Sequence, residues 1–273
     1  MRTDERFRGK NGGRVRGTGS WFHGRNGECL KEIGEQAAGL WSAVIQLLFP
    51  RRCPVCDRIV KPSGEKICLE CLGKLKPITA PWCLKCGKKM SREGEFCEEC
   101  GNGRIHFYTA ARSLYEYSGA AAAIYRFKYG GRREYGDFFG EEMAAFLGDF
   151  IRSTGAEGLI PIPLHEKRLR KRGYNQAEVL ARVLGRNRNL PVYDKILVRI
   201  KNTAPLKNQN SKERQNNLKK AFLVRENDVK LNTVILIDDI YTTGSTVDEA
   251  ARVLLENGVG KVYVVTLAGS EEV

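Results

Sequence analysis

The sequence lacks the features that mark membrane proteins, secreted proteins and two common classes of nucleotide-binding protein. None of its apolar runs is long enough to cross a bilayer. Its N-terminus has no apolar core followed by a small-residue cleavage site. Neither GxxxxGKS/T nor GxGxxG occurs, so the P-loop and dinucleotide-binding classes have no support. From these absences we expect a cytoplasmic protein without a membrane span.

Acidic residues are scarce relative to basic ones. The 273 residues include 46 Lys and Arg against 32 Asp and Glu, which gives a formal net charge of +14. This excess suits a polyanionic partner, either nucleic acid or a substrate with several phosphates. A basic protein without such a partner is the alternative, because charge alone says little about function.

Cysteine is almost absent outside one region of the chain. Only Cys29 lies apart, and we assign it no role. The other eight form four Cys-x-x-Cys pairs, namely Cys53/Cys56, Cys68/Cys71, Cys83/Cys86 and Cys97/Cys100. Each pair can supply two thiolates to one tetrahedral ion, so four pairs predict two Zn²⁺ ions. Because every predicted ligand is a thiolate, we expect structural zinc that supplies folding energy to a small module.

Disulfides and redox-active thiols are the competing interpretations of these pairs. A cytoplasmic chain makes disulfides improbable, and a thioredoxin-like motif needs one pair in a βαβ unit rather than four in succession. We favour a sequential grouping, with the first two pairs on one zinc and the last two on the other. A cross-braced grouping stays open. The region of the last two cysteine pairs is basic, with Lys85, Lys88, Lys89 and Arg92. This charge suits nucleic acid, and a solvated face is the alternative.

Residues 233–246, TVILIDDIYTTGST, contain the most informative motif. Apolar, mostly β-branched residues predict a buried parallel strand over 233–237, with Asp238 and Asp239 at its end. A loop with four hydroxyl side chains and one glycine follows, consisting of Thr242, Thr243, Gly244, Ser245 and Thr246. Such a loop at a helix N-terminus can bind phosphate, and the carboxylates can accept from ribose hydroxyls or hold hydrated Mg²⁺. Capping residues at an ordinary strand–loop–helix corner are the alternative.

The pattern from residue 108 onwards predicts an α/β fold with a largely parallel open sheet. Residues 108–118 and 158–164 are strand-like, and residues 121–151 indicate two helices broken at Gly130-Gly131. A helix over 245–256, ending at Asn257-Gly258, and a final strand over 261–269 complete the pattern. Ligands of such sheets bind beyond the carboxyl ends of the strands.

Two basic segments flank the predicted phosphate site. Residues 167–172, KRLRKR, form a predicted loop after the strand at 158–164. Its Arg168 and Arg172 suit a pyrophosphate group, and Asn175 and Gln176 at the next helix start offer amides to a ligand. A solvated charge run or a nucleic-acid patch is the alternative. His165 is expected to be a loop residue rather than a general base.

Residues 199–220 are also basic and have few core-forming residues. This composition predicts a mobile loop that closes over a bound diphosphate, with a simple linker as the alternative.

The N-terminal 50 residues contain two predicted segments. Residues 1–28 form a basic, Gly-rich tail that we expect to be disordered. Residues 29–50 predict an amphipathic helix, ended by Pro50, that packs on the following domains. The predicted organisation is therefore a tail over 1–28, a helix over 29–50, a double zinc ribbon over 51–104 and an α/β domain over 108–273.

The order of these parts resembles the ComF family of competence-associated proteins, across about residues 45–270. The shared motifs are FPRRCPVC (49–56), the four cysteine pairs, FKYGGRREYG (127–136), PIPLHEKRLRKRGYNQAEVLA (161–181), SKERQNNLKKAF (211–222) and VILIDDIYTTGSTVDEA (234–250). One stretch departs from the family, since relatives often carry a Gln near Thr203-Ala204-Pro205-Leu206. A role for that position is therefore in doubt here.

The resemblance implies a double zinc ribbon followed by a type I phosphoribosyltransferase domain that binds phosphoribosyl pyrophosphate (PRPP) with Mg²⁺. It implies that Asp238 and Asp239 contact the ribose diol and that Thr242 to Thr246 bind the 5′-phosphate. It also links the chain to uptake of single-stranded DNA and to other competence proteins.

Two hypotheses about function follow from the sequence and the resemblance. The chain is either a phosphoribosyltransferase, with Asp238 and Asp239 at its catalytic centre and an unidentified acceptor, or a zinc-ribbon protein that binds single-stranded DNA. In the second case, the PRPP pocket serves as a sensor or a scaffold.

Overall fold

The computed structural model describes residue 48 and residues 50–201, 220–225 and 230–271. The chain divides into a unit over Met1–Pro50 and a unit over Arg51–Val273. Nearly all of the first unit lies outside the described residues, as do the predicted tail, Cys29, the predicted helix apart from residues 48 and 50, and residues 202–219.

A four-stranded parallel sheet forms the centre of the second unit. Its strands are β1 (Ala111–Glu116), β2 (Gly158–Pro161), β5 (Thr233–Tyr241) and β6 (Lys261–Gly269), in the spatial order β1-β6-β5-β2. A separate antiparallel pair consists of β3 (Leu197–Arg199) and β4 (Phe222–Val224). The predicted α/β fold with a parallel sheet is confirmed.

Among the described residues, seven α-helices and one 3-10 helix, Leu69–Cys71, have assigned bounds. The α-helices are α1 (Glu98–Gly101), α2 (Tyr117–Tyr129), α3 (Tyr135–Phe146), α4 (Gly148–Ser153), α5 (Glu166–Arg172), α6 (Gln176–Arg188) and α7 (Ser245–Glu256). The predicted break at Gly130-Gly131 does separate two helices. A third helix, α4, was not predicted there, and it begins directly after Leu147.

Strand β5 is longer than the sequence predicts. Its pairing with β2 ends at Ile237, whereas its pairing with β6 continues from Asp238 to Tyr241. On the side of β6, the acidic pair therefore lies within the paired part of the strand. On the side of β2, it lies beyond the last paired residue. The expectation that the strand ends at residue 237 was wrong, because β6 is long enough to keep the backbone extended for four more residues.

The two Cys-rich ribbons pack on opposite faces of the sheet. Cys53 and Cys71 of the first ribbon share a buried cluster with Ile235 and Ile237. Cys83 and Cys97 of the second ribbon belong to the other cluster, together with the sheet residues Val234 and Leu236 and the apolar side of α7. Because successive strand residues point to opposite faces, the two ribbons belong to buried clusters on opposite faces of β5.

No helix among the described residues is long and apolar enough to span a membrane.

Candidate functional site

The eight paired cysteines form two groups of four. The first group holds Cys53, Cys56, Cys68 and Cys71, and the second holds Cys83, Cys86, Cys97 and Cys100. Within each group the sulfur atoms lie within 4.8 Å of one another. The structure thus shows the sequential grouping rather than the cross-braced alternative.

The donor chemistry of both groups fits zinc. Tetrahedral zinc–thiolate bonds place sulfur atoms about 3.8 Å apart, and the distances are 3.9 Å for Cys56–Cys68 and 3.6 Å for Cys86–Cys97. A hydrogen bond from Cys86 lowers the pKa of the Cys83 thiol to about 4, while Cys83 raises the pKa of Cys86. Four crowded thiols thus resist ionising together unless a dication balances them, so the eight cysteines are suitable ligands for two structural zinc ions.

The two carboxylates of β5 face different surroundings. Asp238 shares the face of Leu236, and Asp239 shares the face of Ile237. The carboxylate of the buried Asp239 pairs with Lys128 Nζ at 2.9 Å. Its backbone N–H donates to Asp238 Oδ1 at 2.8 Å. One strand end therefore presents two acids, each positioned by a different contact.

The pKa of the Asp238 carboxyl lies well above the usual value for aspartate. Desolvation is the largest cause, followed by the charge of Asp239, and together they raise the pKa of the Asp238 carboxyl to about 7. Lys128 and Arg199 act in the opposite direction. The residue keeps partial solvent access at the surface, yet its carboxyl is enclosed enough for burial to dominate. A carboxyl that changes charge near neutrality suits a ligand-binding or catalytic site.

The predicted phosphate loop, Thr242 to Thr246, connects β5 to α7. Gly244 has φ of +73°, and Asp248 N–H donates to its carbonyl at 2.8 Å to begin the helix. The hydroxyls of Thr243 and Ser245 lie 2.9 Å apart. Since the first N–H groups of a helix have no intrahelical acceptor, the start of α7 offers a set of donors and a positive dipole end to an anion.

The predicted basic loop at 167–172 is instead the helix α5, so that expectation was wrong. His165 precedes it as the N-cap, and its Nδ1 accepts from Lys167 N–H at 3.2 Å. Gly173, with φ of +80°, ends the helix. Lys and Arg are good helix formers, and these caps complete a short helix that hydrophobic periodicity does not reveal.

The amide side chains after this helix make internal contacts. Asn175 Nδ2 donates to Ile162 O at 3.0 Å. Gln176 is buried, and its Oε1 accepts from Arg172 at 2.9 Å. Both amide side chains, which were predicted to contact a ligand, therefore already make hydrogen bonds within the protein, one to the residue after β2 and one to Arg172.

Two cations beside the acidic pair were missed as site residues from the sequence. Lys128, at the end of α2, pairs with Asp239. Arg199, at the end of β3, lies near Arg168, Arg172 and Asp238, and burial followed by repulsion from Arg168 lowers its pKa to about 10. Lys128 lies within the FKYGG motif, and Arg199 begins the second basic segment. The motif and the basic segment were both visible in the sequence. Neither indicated that its cation would lie beside the carboxylates.

A cavity of about 390 Å³ adjoins this cluster. Lys171 and Arg172 line one side, and Tyr125, Lys128, Tyr129 and Gly131 line the rest. The Arg172 guanidinium lies 4.8 Å from the centre of the Tyr129 ring and donates to its hydroxyl at 3.0 Å. Tyr125 and Tyr129 are 64% and 53% exposed, with ring centres 5.1 Å apart. The cavity combines aromatic surface with positive charge.

Comparison with known proteins identifies the two parts of this architecture. The double zinc ribbon domain model matches residues 44–101, and the phosphoribosyl transferase domain model matches residues 169–272. The chain is thus a double zinc ribbon joined to a domain of the phosphoribosyltransferase class.

Comparison with curated relatives identifies the family of the chain. Competence protein ComFC of Bacillus subtilis is 33% identical over 73% of this chain and 82% of its own length. Competence protein F of Haemophilus influenzae is 28% identical over 81% of this chain and 97% of its own. The DNA utilization protein YhgH of Escherichia coli K12 is 26% identical over 67% of this chain and 87% of its own. The chain belongs to the ComF family, as the sequence motifs predicted.

Proposed function

We propose that this protein binds PRPP together with Mg²⁺ at the carboxyl end of β2 and β5 and transfers its phosphoribosyl group. The observation that carries the proposal is the local charge balance. Two cations, Lys128 and Arg199, lie against the two carboxylates, and Arg168 and Arg172 lie near Arg199. Burial and neighbouring cations depress the pKa values of Arg168 and Arg199, so a polyanion would relieve this repulsion.

Each part of PRPP has a chemically matched partner. The loop from Thr242 to Thr246 would donate to the 5′-phosphate. Asp238 and Asp239 would accept from the ribose hydroxyls, and their oxygens are also suitable for a hydrated Mg²⁺ ion. Arg172 and its neighbouring cations would bind the pyrophosphate. When bound, Mg²⁺ supplies charge neutralisation on the pyrophosphate.

In the reaction, the bond from ribose C1 to pyrophosphate breaks, and a bond from C1 to the acceptor nucleophile forms. The leaving pyrophosphate carries the electron pair away, so cations placed around it lower the barrier. The carboxylates and the loop hold the sugar in position for attack.

Calorimetric titration of PRPP and Mg²⁺ into zinc-loaded protein tests the proposal. We expect binding in the wild type and its loss in the double variant Asp238→Asn with Asp239→Asn. Asp149→Asn is the matched control, because Asp149 is an exposed acid on α4 with its side chain 96% accessible. Absence of binding in the wild type, or equal binding in the double variant, would contradict the proposal.

A second candidate function is binding of single-stranded DNA. The exposed aromatic pair over the cationic cavity favours it, because bases stack on aromatic side chains beside cations that hold the backbone. Truncating Tyr125 to Ala should weaken DNA binding by about tenfold or more. Tyr117→Ala changes an exposed tyrosine outside the cavity and serves as control. Equal DNA affinity in Tyr125→Ala and the control would argue against this site.

We further propose that the protein acts in the cytoplasm in the handling of DNA taken up during competence. The names of the relatives, competence proteins and DNA utilization proteins, support the process. The eight paired cysteines, none of which forms a disulfide, support the compartment. Other competence proteins are the partners we expect.

A further inference from the structure

Residues 104–108, which we call the connector, join the second ribbon to β1. Their side chains alternate between two environments. His106 and Tyr108 are buried, and the Arg104 side chain is only 17% exposed. Ile105 and Phe107, which lie between them, are 82% and 45% exposed. This alternation gives the connector one set of side chains that packs against the protein and one set that does not.

The packed face of the connector contacts the phosphate loop at one point and the two elements that flank the loop at one point each. An Arg104 guanidinium N–H donates to the carbonyl oxygen of Thr243. His106 Nδ1 lies 2.9 Å from a carboxylate oxygen of Asp248 in the first turn of α7. The Tyr108 and Tyr241 hydroxyls lie 2.7 Å apart. The three contacts therefore join the connector to the end of β5, to the loop itself and to the first turn of α7.

A fourth contact completes the attachment at the helix start. The backbone N–H of Phe107 donates to the other oxygen of the Asp248 carboxylate at 3.1 Å. Asp248 N–H itself forms the first backbone hydrogen bond of α7, to Gly244. The connector thus fixes the residue that closes the first helical turn, and with it the N–H groups that would face a phosphate.

The other end of the same residues reaches the second cysteine group. His106 Nε2 lies 3.6 Å from Cys100 Sγ. Arg104 pairs with Glu99 on α1 at 2.5 Å, and Glu99 also pairs with Lys88 at 3.0 Å. Arg104 therefore links Glu99, which lies between two of the cysteines, to the phosphate loop, and His106 links Cys100 to the first turn of α7.

We propose that Arg104 and His106 are positioning residues that couple the second zinc group to the phosphate loop. A properly formed ribbon holds the loop in its anion-binding shape, and an occupied loop stabilises the ribbon in return. This coupling rests on the proposed PRPP site for its ligand, but the positioning of the loop does not require that ligand. The first ribbon packs on the opposite face of the sheet and has no such bridge to the loop among the described contacts.

Hydrogen exchange on the ligand-free, zinc-loaded protein tests the positioning itself. In Arg104→Ala, we expect the amides of residues 243–248 to exchange about tenfold faster, because the carbonyl of Thr243 loses its partner. Ile105→Ala is the control, since it truncates the adjacent exposed side chain. Arg104→Lys keeps a donor and a charge and should fall nearer to the wild type. Unchanged exchange in Arg104→Ala would overturn the proposal.

The ligand then tests the coupling in both directions. Arg104→Ala should weaken PRPP binding about tenfold while the first and second groups keep their zinc. By reciprocity, PRPP should slow zinc release to a chelator more from the second group than from the first, with alkylation of the freed cysteines identifying each group. Equal slowing at both groups would overturn the coupling. If the wild type binds no PRPP but exchange responds to Arg104→Ala, the proposed function fails and the positioning stands.

Discussion

At the scale of single residues, Asp238 is a carboxyl held close to its point of titration. Its pKa is raised to about 7 by desolvation and by Asp239. In the ligand-free protein it therefore keeps a proton that an exposed aspartate would lose several pH units lower. An acceptor of ribose hydroxyls or a ligand of Mg²⁺ must be ionised, so ligand binding and proton release at Asp238 are linked.

We predict that the affinity for PRPP rises with pH through neutrality. If Asp238 must ionise, its charged fraction increases roughly tenfold between pH 6 and 8, and the affinity should follow. Calorimetry in buffers of different ionisation enthalpy would count the proton released. Asp238→Asn is the control, because it removes this group and leaves only the titration of the ligand. An identical pH profile in the variant would contradict the prediction.

The same shift has a consequence for stability, with the opposite sign. The folded-state pKa lies above the unfolded value, so the folded protein binds more protons between the two. The contribution of protonated Asp238 to the free energy of unfolding is therefore fully present below the unfolded pKa. It is lost as the pH rises through about 7.

At the scale of secondary-structure elements, Gly244 determines how β5 turns into α7. Its φ of +73° is a conformation that L-residues resist, and a Cβ there would lie 2.3 Å from the Tyr241 hydroxyl oxygen. Tyr241 is held by Tyr108, so it cannot move away without breaking a buried hydrogen bond. The glycine is required by both the backbone and the packing.

Gly244→Ala should therefore destabilise the fold by about 2 kcal/mol or more and abolish phosphate binding at the loop. Denaturant unfolding and PRPP titration measure the two effects. Gly155→Ala is the matched control, because Gly155 has φ of +63° but a Cβ added there would meet no atom within 4 Å. We expect that control to lose about 1 kcal/mol of stability and no affinity. Equal losses in both variants would contradict the packing argument.

Elements with strong periodicity were predictable from the sequence, and elements formed by charged residues were not. The helix over 245–256 and the strand over 261–269 have the bounds that the sequence predicts. Helix α5 was predicted as a loop, since its five cations give no apolar face and its N-cap is a histidine. Strand β5 was predicted too short, because the length of pairing depends on its neighbour β6.

The residues of the candidate site were also predictable only in part. Asp238, Asp239 and the hydroxyl loop are consecutive in sequence, so one motif predicts them together. Lys128 and Arg199 approach them only through the packing of α2 and β3, which sequence spacing does not encode. The roles assigned to Asn175 and Gln176 remain predictions, and their internal hydrogen bonds were not foreseeable from one sequence.

At the scale of the whole molecule, the two ribbons are parts of the core rather than appendages. Cys53 and Cys71 share a buried cluster with β5 on one face of the sheet, and Cys83 and Cys97 do so on the other. Polar contacts add to this on the first face, where Arg126 of α2 donates to the carbonyls of Pro54 and Val55 at 3.0 and 2.8 Å. Loss of either metal group should therefore be felt across the sheet.

We predict that Cys68→Ser lowers the melting temperature of the whole chain by about 10 °C or more. Metal binding supplies much of the folding free energy of a small zinc module, and each kcal/mol corresponds to about 2–4 °C in a chain of this size. Zinc content should fall from two equivalents to one. Cys29→Ser, which changes a cysteine outside both groups, is the control. If the variant instead melts like the wild type while proteolysis removes only the first ribbon, that ribbon is an independent module and the shared core contributes little to its stability.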